Sequence, residues 1–88
     1  MYATSADWSF TNTPDFSEQE AVFTANMKAA GAIHWYYVLT SETTARSMVI
    51  WPDQATAHKS LKIVRDDAAA ENNQVIVSVY EGNIVAGF

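Results

Sequence analysis

The chain contains no cysteine, which excludes disulfide frameworks and thiolate metal sites. Basic residues are also scarce. Lys28, Arg46, Lys59, Lys62 and Arg65 stand against ten carboxylate residues, for a net charge of −5. Phosphate neutralisation dominates nucleic-acid affinity, and no basic field exists here to supply it. Lys59, Lys62 and Arg65 share a helix face, but Asp66, Asp67 and Glu71 follow closely, so no nucleic-acid partner is expected. No apolar run approaches the roughly 20 residues that span a bilayer, and no membrane partner is expected. The opening Met1 to Asp7 lacks a basic stretch and an apolar core, so a cytoplasmic protein without a secretory signal is expected. Gly-rich phosphate loops, nucleophile elbows and zinc-ligand spacings are missing. His34 and His58 lie far apart without a local carboxylate pattern, so no metal and no cofactor are expected.

What remains is enough for one domain spanning 1–88, with 49% hydrophobic residues and 17% charged. Two segments carry large apolar residues on both faces of an expected strand: Ile33-His34-Trp35-Tyr36-Tyr37-Val38-Leu39 and Met48-Val49-Ile50-Trp51. Side chains alternate across a strand, so both faces need a cover. The helices supply one. A second copy of the chain is the simplest other.

Tyr2, Ala6, Trp8 and Phe10 alternate with Ser5, Asp7 and Ser9, the period of a first strand. Thr11 to Asp15 forms a turn cluster around Pro14. A helix should begin near Ser17, where Ser17 and Glu20 fit a capping box, with Asp15 and Glu18 as a competing register. Phe16, Val22, Phe23, Met27 and Ala30 form its apolar stripe, and Gly31 suits a left-handed stop. Ala32 to Thr40 and Ala45 to Trp51 read as a hairpin around Ser41 to Thr44. Asp53 can cap a second helix over 54–71, with a stripe at Ala57, Leu61, Val64 and Ala68 and a stop at Asn72-Asn73. Val75 to Tyr80 is the last strand, Glu81-Gly82-Asn83 a turn, and Ile84 to Phe88 an apolar tail. With right-handed crossovers this order gives an α+β, ferredoxin-like βαββαβ fold: a four-stranded antiparallel sheet with two helices on one face.

Gly31 to Tyr37, and Met48-Val49-Ile50-Trp51-Pro52-Asp53-Gln54-Ala55-Thr56-Ala57 with its strand-ending aromatic and Ala-containing helix, resemble the dimeric α+β barrel superfamily. That superfamily includes antibiotic-biosynthesis-monooxygenase-like domains. The resemblance implies a homodimer made by the helix-free sheet faces and a ligand cavity between sheet and helices. Its members include cofactor-independent oxygenases, haem-degrading enzymes, isomerases and domains without known catalysis. The haem-degrading pattern does not carry over, because Asn12 follows the first strand and Trp51 precedes the helix.

Candidate ligand-binding residues are His34, Tyr36, Arg46, His58 and Tyr80. His34 and Tyr36 share a strand face; Ser78 and Tyr80 share another, and Asp7 lies on the polar face of the first strand. Histidine can move protons near neutral pH, and tyrosine can donate to a carbonyl or phenol. Arg46 can clamp an anion. The blander readings are interface aromatics for Tyr36 and Tyr80, a rim residue for His58 and an exposed strand-end cation for Arg46. Trp35 and Trp51 are expected in the core or an interface. The two functional expectations are a small-molecule-binding or cofactor-independent monooxygenase-like domain for a small aromatic or apolar ligand, and a non-catalytic oligomerisation or ligand-sensing module.

Overall fold

β1 (Tyr2–Ser9) buries every second residue, as its sequence period requires. The structure, a computed structural model, describes residues 1–13, 15–60 and 74–88. After β1 come α1 (Phe16–Ala29), β2 (His34–Leu39), β3 (Thr44–Trp51) and β4 (Val75–Asn83). A second helix, α2, starts at residue 54 and is described to residue 60. Leu61, Val64 and Ala68 of its expected stripe, and the stop at Asn72-Asn73, lie outside the described residues. The four strands form one antiparallel sheet in the order β2-β3-β1-β4, with β1 and β3 central. This is the ferredoxin-like arrangement. No described helix is long and apolar enough to cross a membrane.

Asp15, not Ser17, caps α1: its carboxylate accepts from Ser17 N at 3.1 Å and from Ser17 Oγ at 2.6 Å. This is the competing register, although the Glu18 side chain lies outside the described set. Phe16 thereby becomes the first helical residue and packs edge-on to Phe10, with ring centroids 6.5 Å apart. At the other end Gly31 takes φ +94°. Its N–H donates to Lys28 O at 3.1 Å, and Ala32 N donates to Met27 O at 3.1 Å. Those two bonds are the Schellman pattern, which a left-handed glycine permits. Phe23 and Met27 turn toward the sheet, whereas Val22, one residue before Phe23, is rotated out and stays exposed.

Asp53 caps α2 by accepting from Thr56 N at 2.7 Å, which holds the Asp53 carboxyl below its ordinary pKa. Tyr2, Met27, Val49, Trp51 and Ala57 form one core cluster, so both helices cover the same sheet face. Ala6, Trp8, Phe10 and Ala45 form a second, flanked by Phe16, Tyr37 and Ile76. Both buried indoles are satisfied, Trp51 Nε1 donating to Thr4 Oγ1 at 2.9 Å and Trp8 Nε1 to Ser47 Oγ at 3.0 Å.

β4 is longer than its apolar run, and Glu81-Gly82-Asn83 is strand rather than turn. β1 presents an edge of backbone groups as far as Tyr2, and β4 pairs along it until Tyr2↔Asn83. The register shifts between Asp7↔Ser78 and Trp8↔Ile76, leaving Val77 as the extra residue of a bulge.

The two-faced strands behave as their composition requires. Trp35, Tyr37, Val49 and Trp51 turn toward the helices, while Tyr36, Val38, Met48 and Ile50 turn away. The helix-free face therefore exposes large apolar side chains, and no described helix covers it.

Candidate functional site

β2 is an edge strand, and α1 passes over its helix-facing side. Phe16 and Phe23 come from the helix, one on either side of Glu20, while Trp35, Tyr37 and Leu39 come from the strand. These side chains leave a cavity of about 340 Å³ between helix and strand, with Glu20 and Thr24 also on its lining. The volume falls within the usual range of small-molecule sites, roughly 300–1,000 Å³.

The aromatic lining is continuous. Phe16 meets Tyr37 at a centroid distance of 5.3 Å, Tyr37 meets Trp35 at 6.3 Å, and Trp35 meets Phe23 edge-on at 6.3 Å. Such pairs favour tilted and edge-on contacts because the ring faces are negative and the edges positive. The polar groups are few. Thr24 Oγ1 donates to Glu20 Oε1 at 3.4 Å. The Tyr37 hydroxyl donates to Gln74 Oε1, and Gln74 is buried. Burial pushes the Tyr37 hydroxyl far above its ordinary pKa.

The five residues proposed from sequence do not converge on this cavity. Tyr36 alone lines it. The His34 and Tyr36 rings stack at 6.3 Å on the helix-free face. Arg46 lies on that face too, already engaged. It donates from Nε to Asp7 Oδ1 at 2.9 Å and from Nη2 to Asp7 Oδ2 at 3.2 Å. Its guanidinium also sits 5.2 Å from the Tyr80 ring centroid. Asp7 thus takes the place of the external anion that Arg46 could have clamped, and pairing holds the guanidinium still more firmly protonated. Tyr80 borders a second, open groove with Ala3, Ser5 and Gly82.

His58 stands apart, on α2. Its Nε2 lies 2.8 Å from Glu81 Oε1, the same oxygen that accepts from Tyr2 Oη at 2.8 Å. The Tyr2 and His58 rings meet edge-on at 5.9 Å. Burial and the Glu81 carboxylate both raise the Tyr2 hydroxyl pKa. This cluster ties α2 to β4.

Phe16, Glu20, Phe23, Thr24 and Trp35 were not among the candidates. Phe16 and Phe23 read from sequence only as a packing stripe, and Trp35 as core or interface. The available signal was their shared side: odd-numbered aromatics on an edge strand facing two helix phenylalanines seven residues apart.

Comparison with known proteins finds no matching family model and no matching curated protein. Solved structures do match over essentially the whole chain. A dimeric ferredoxin-like protein from an uncultured marine organism aligns with a TM-score of 0.64 at 15% identity, covering 100% of this chain and 98% of its own. A candidate antibiotic biosynthesis monooxygenase from Deinococcus radiodurans gives 0.64 at 12%, covering 100% and 96%. The shared fold is the ferredoxin-like one. SnoaB, a cofactor-independent oxygenase from Streptomyces nogalater, shares it at a TM-score of 0.59 and 12% identity, covering 99% of this chain and 93% of its own. At these identities the chain fold is what the likeness carries; chemistry is argued from the residues.

Proposed function

We propose that the chain is a homodimeric small-molecule-binding domain whose α1–β2 cavity takes a small, apolar, aromatic ligand. The cavity carries this reading: about 340 Å³, walled by Phe16, Phe23, Trp35 and Tyr37, and left open by the chain's own side chains. Its few polar groups suit orientation of a ligand whose bulk is held by ring contacts. The rival, an oligomerisation module with a self-filled pocket, leaves this space unexplained.

Pairing follows from the other sheet face. Tyr36, Val38, Met48 and Tyr80 each keep 43–55% of their surface exposed there. A contiguous apolar surface of this kind marks an interaction site, and the dimeric ferredoxin-like neighbour uses the same fold in a dimer. The Asp7–Arg46 pair makes such a face easier to cover, because each charge already has its partner before water is removed. Turnover of the ligand by cofactor-independent oxygenase chemistry is the second reading, favoured by the likeness to SnoaB.

Calorimetric titration with 1-naphthol tests the cavity. Thr24→Trp, which places an indole on the lining, should abolish binding while the circular dichroism spectrum stays unchanged. Unaltered naphthol affinity in that variant would remove the cavity from the account.

A further inference from the structure

The cavity's charge is one-sided, and this bears on its ligand. Among the described residues its lining has one carboxylate, Glu20, and no lysine, arginine or histidine. Tyr37, a phenol, is neutral near pH 7 and adds no charge of either sign. Most of the remaining wall is ring systems from Phe16, Phe23, Trp35 and Tyr37, with Leu39 beside them. Ring faces attract cations within about 6 Å of the centroid, most strongly for tryptophan. A carboxylate accepts about four hydrogen bonds, and Thr24 supplies one, at 3.4 Å.

We infer that the ligand is an organic ammonium, an amine carried on an apolar body. This rests on the reading of the α1–β2 cavity as the binding site. The ammonium lies at Glu20 with the rings against its flanks, and the apolar body packs between helix and strand. A carboxylate-bearing ligand would meet Glu20 with like charge inside a chain of net charge −5. A neutral ligand would gain the ring contacts and at most a hydrogen bond to the acid, without the charge attraction. The net negative charge also favours the approach of cations over anions.

Three probes of one shape separate these cases: 1-naphthylmethylammonium, 1-naphthylmethanol and 1-naphthoate. Titration calorimetry should give the ammonium about tenfold tighter binding than the alcohol, with the naphthoate weakest. In Glu20→Gln the advantage of the ammonium should fall to about twofold or less, while the alcohol binds as before and reports an intact cavity. Glu42→Gln, which alters a carboxylate off the lining, should keep the wild-type order. Equal binding of ammonium and alcohol, or an advantage that survives in Glu20→Gln, overturns the ammonium assignment but leaves the cavity standing. Binding of none of the three overturns both.

Discussion

Arg46 and Asp7 face each other across the two central strands and meet through two parallel hydrogen bonds, 2.9 and 3.2 Å long, on the sheet face that carries no helix. In a single chain the pair is half-exposed, where such contacts contribute little. Covering that face with a second copy would change its standing. Removing one partner then leaves the other charge buried and alone.

Asp7→Asn should therefore leave the fold intact and weaken self-association by roughly tenfold or more in dissociation constant. Sedimentation equilibrium over a concentration series reads this directly. Light scattering on the unaltered chain should give about twice the 9.7 kDa chain mass.

Gly31 is constrained twice over. Its φ of +94° is strained for any residue with a Cβ, and a Cβ there would stand 2.9 Å from Thr56 Cγ2. Gly31→Ala should cost about 1–2 kcal/mol from the backbone alone, with the clash in addition. Adding Thr56→Ser removes the clashing methyl and should restore only the second part, as measured by chemical denaturation.

Asp53 gives a pH dependence whose sign is fixed. Its folded pKa lies below the ordinary 3.8 because Thr56 hydrogen-bonds the carboxylate. The unfolded chain therefore binds a proton first as the pH falls. The stabilisation is complete above 3.8 and is lost as pH drops through the lower folded value. The stability gap between the unaltered chain and Asp53→Ala should narrow over that acid window and stay constant near neutrality.

Tyr37 and Gln74 satisfy each other at the edge of the core. Tyr37→Phe leaves the buried Gln74 carbonyl without this donor and should destabilise by about 1–3 kcal/mol. Tyr37→Phe with Gln74→Leu should recover part of the loss, because neither polar group then remains.

Much of this fold is legible in the sequence because its signals are local. Alternation in β1, the Gly31 stop, the Asp53 cap and the two-faced β2 and β3 each depend on near neighbours or on strand geometry. The α1 start went to Asp15 because two cap registers overlap by two residues, and only the position of Phe16 beneath Phe10 decides between them. The length of β4 depended on β1, a strand more than sixty residues away in sequence, and on a bulge at Val77. The cavity was hidden for the same reason. Phe23 looks like any stripe residue until α1 is laid over an edge strand, and its space belongs to no single segment. His34 and Tyr36 drew attention as polar aromatics, but strand alternation sends them to the face away from the helices.

The proposed function turns on which side of the sheet receives the ligand. Intermolecular nuclear Overhauser effects from bound 1-naphthol locate it. Contacts to side-chain protons of Phe16, Phe23, Thr24 and Trp35 are expected. Contacts instead to Val38, Met48 or Tyr80 would place the ligand on the helix-free face and contradict the central claim.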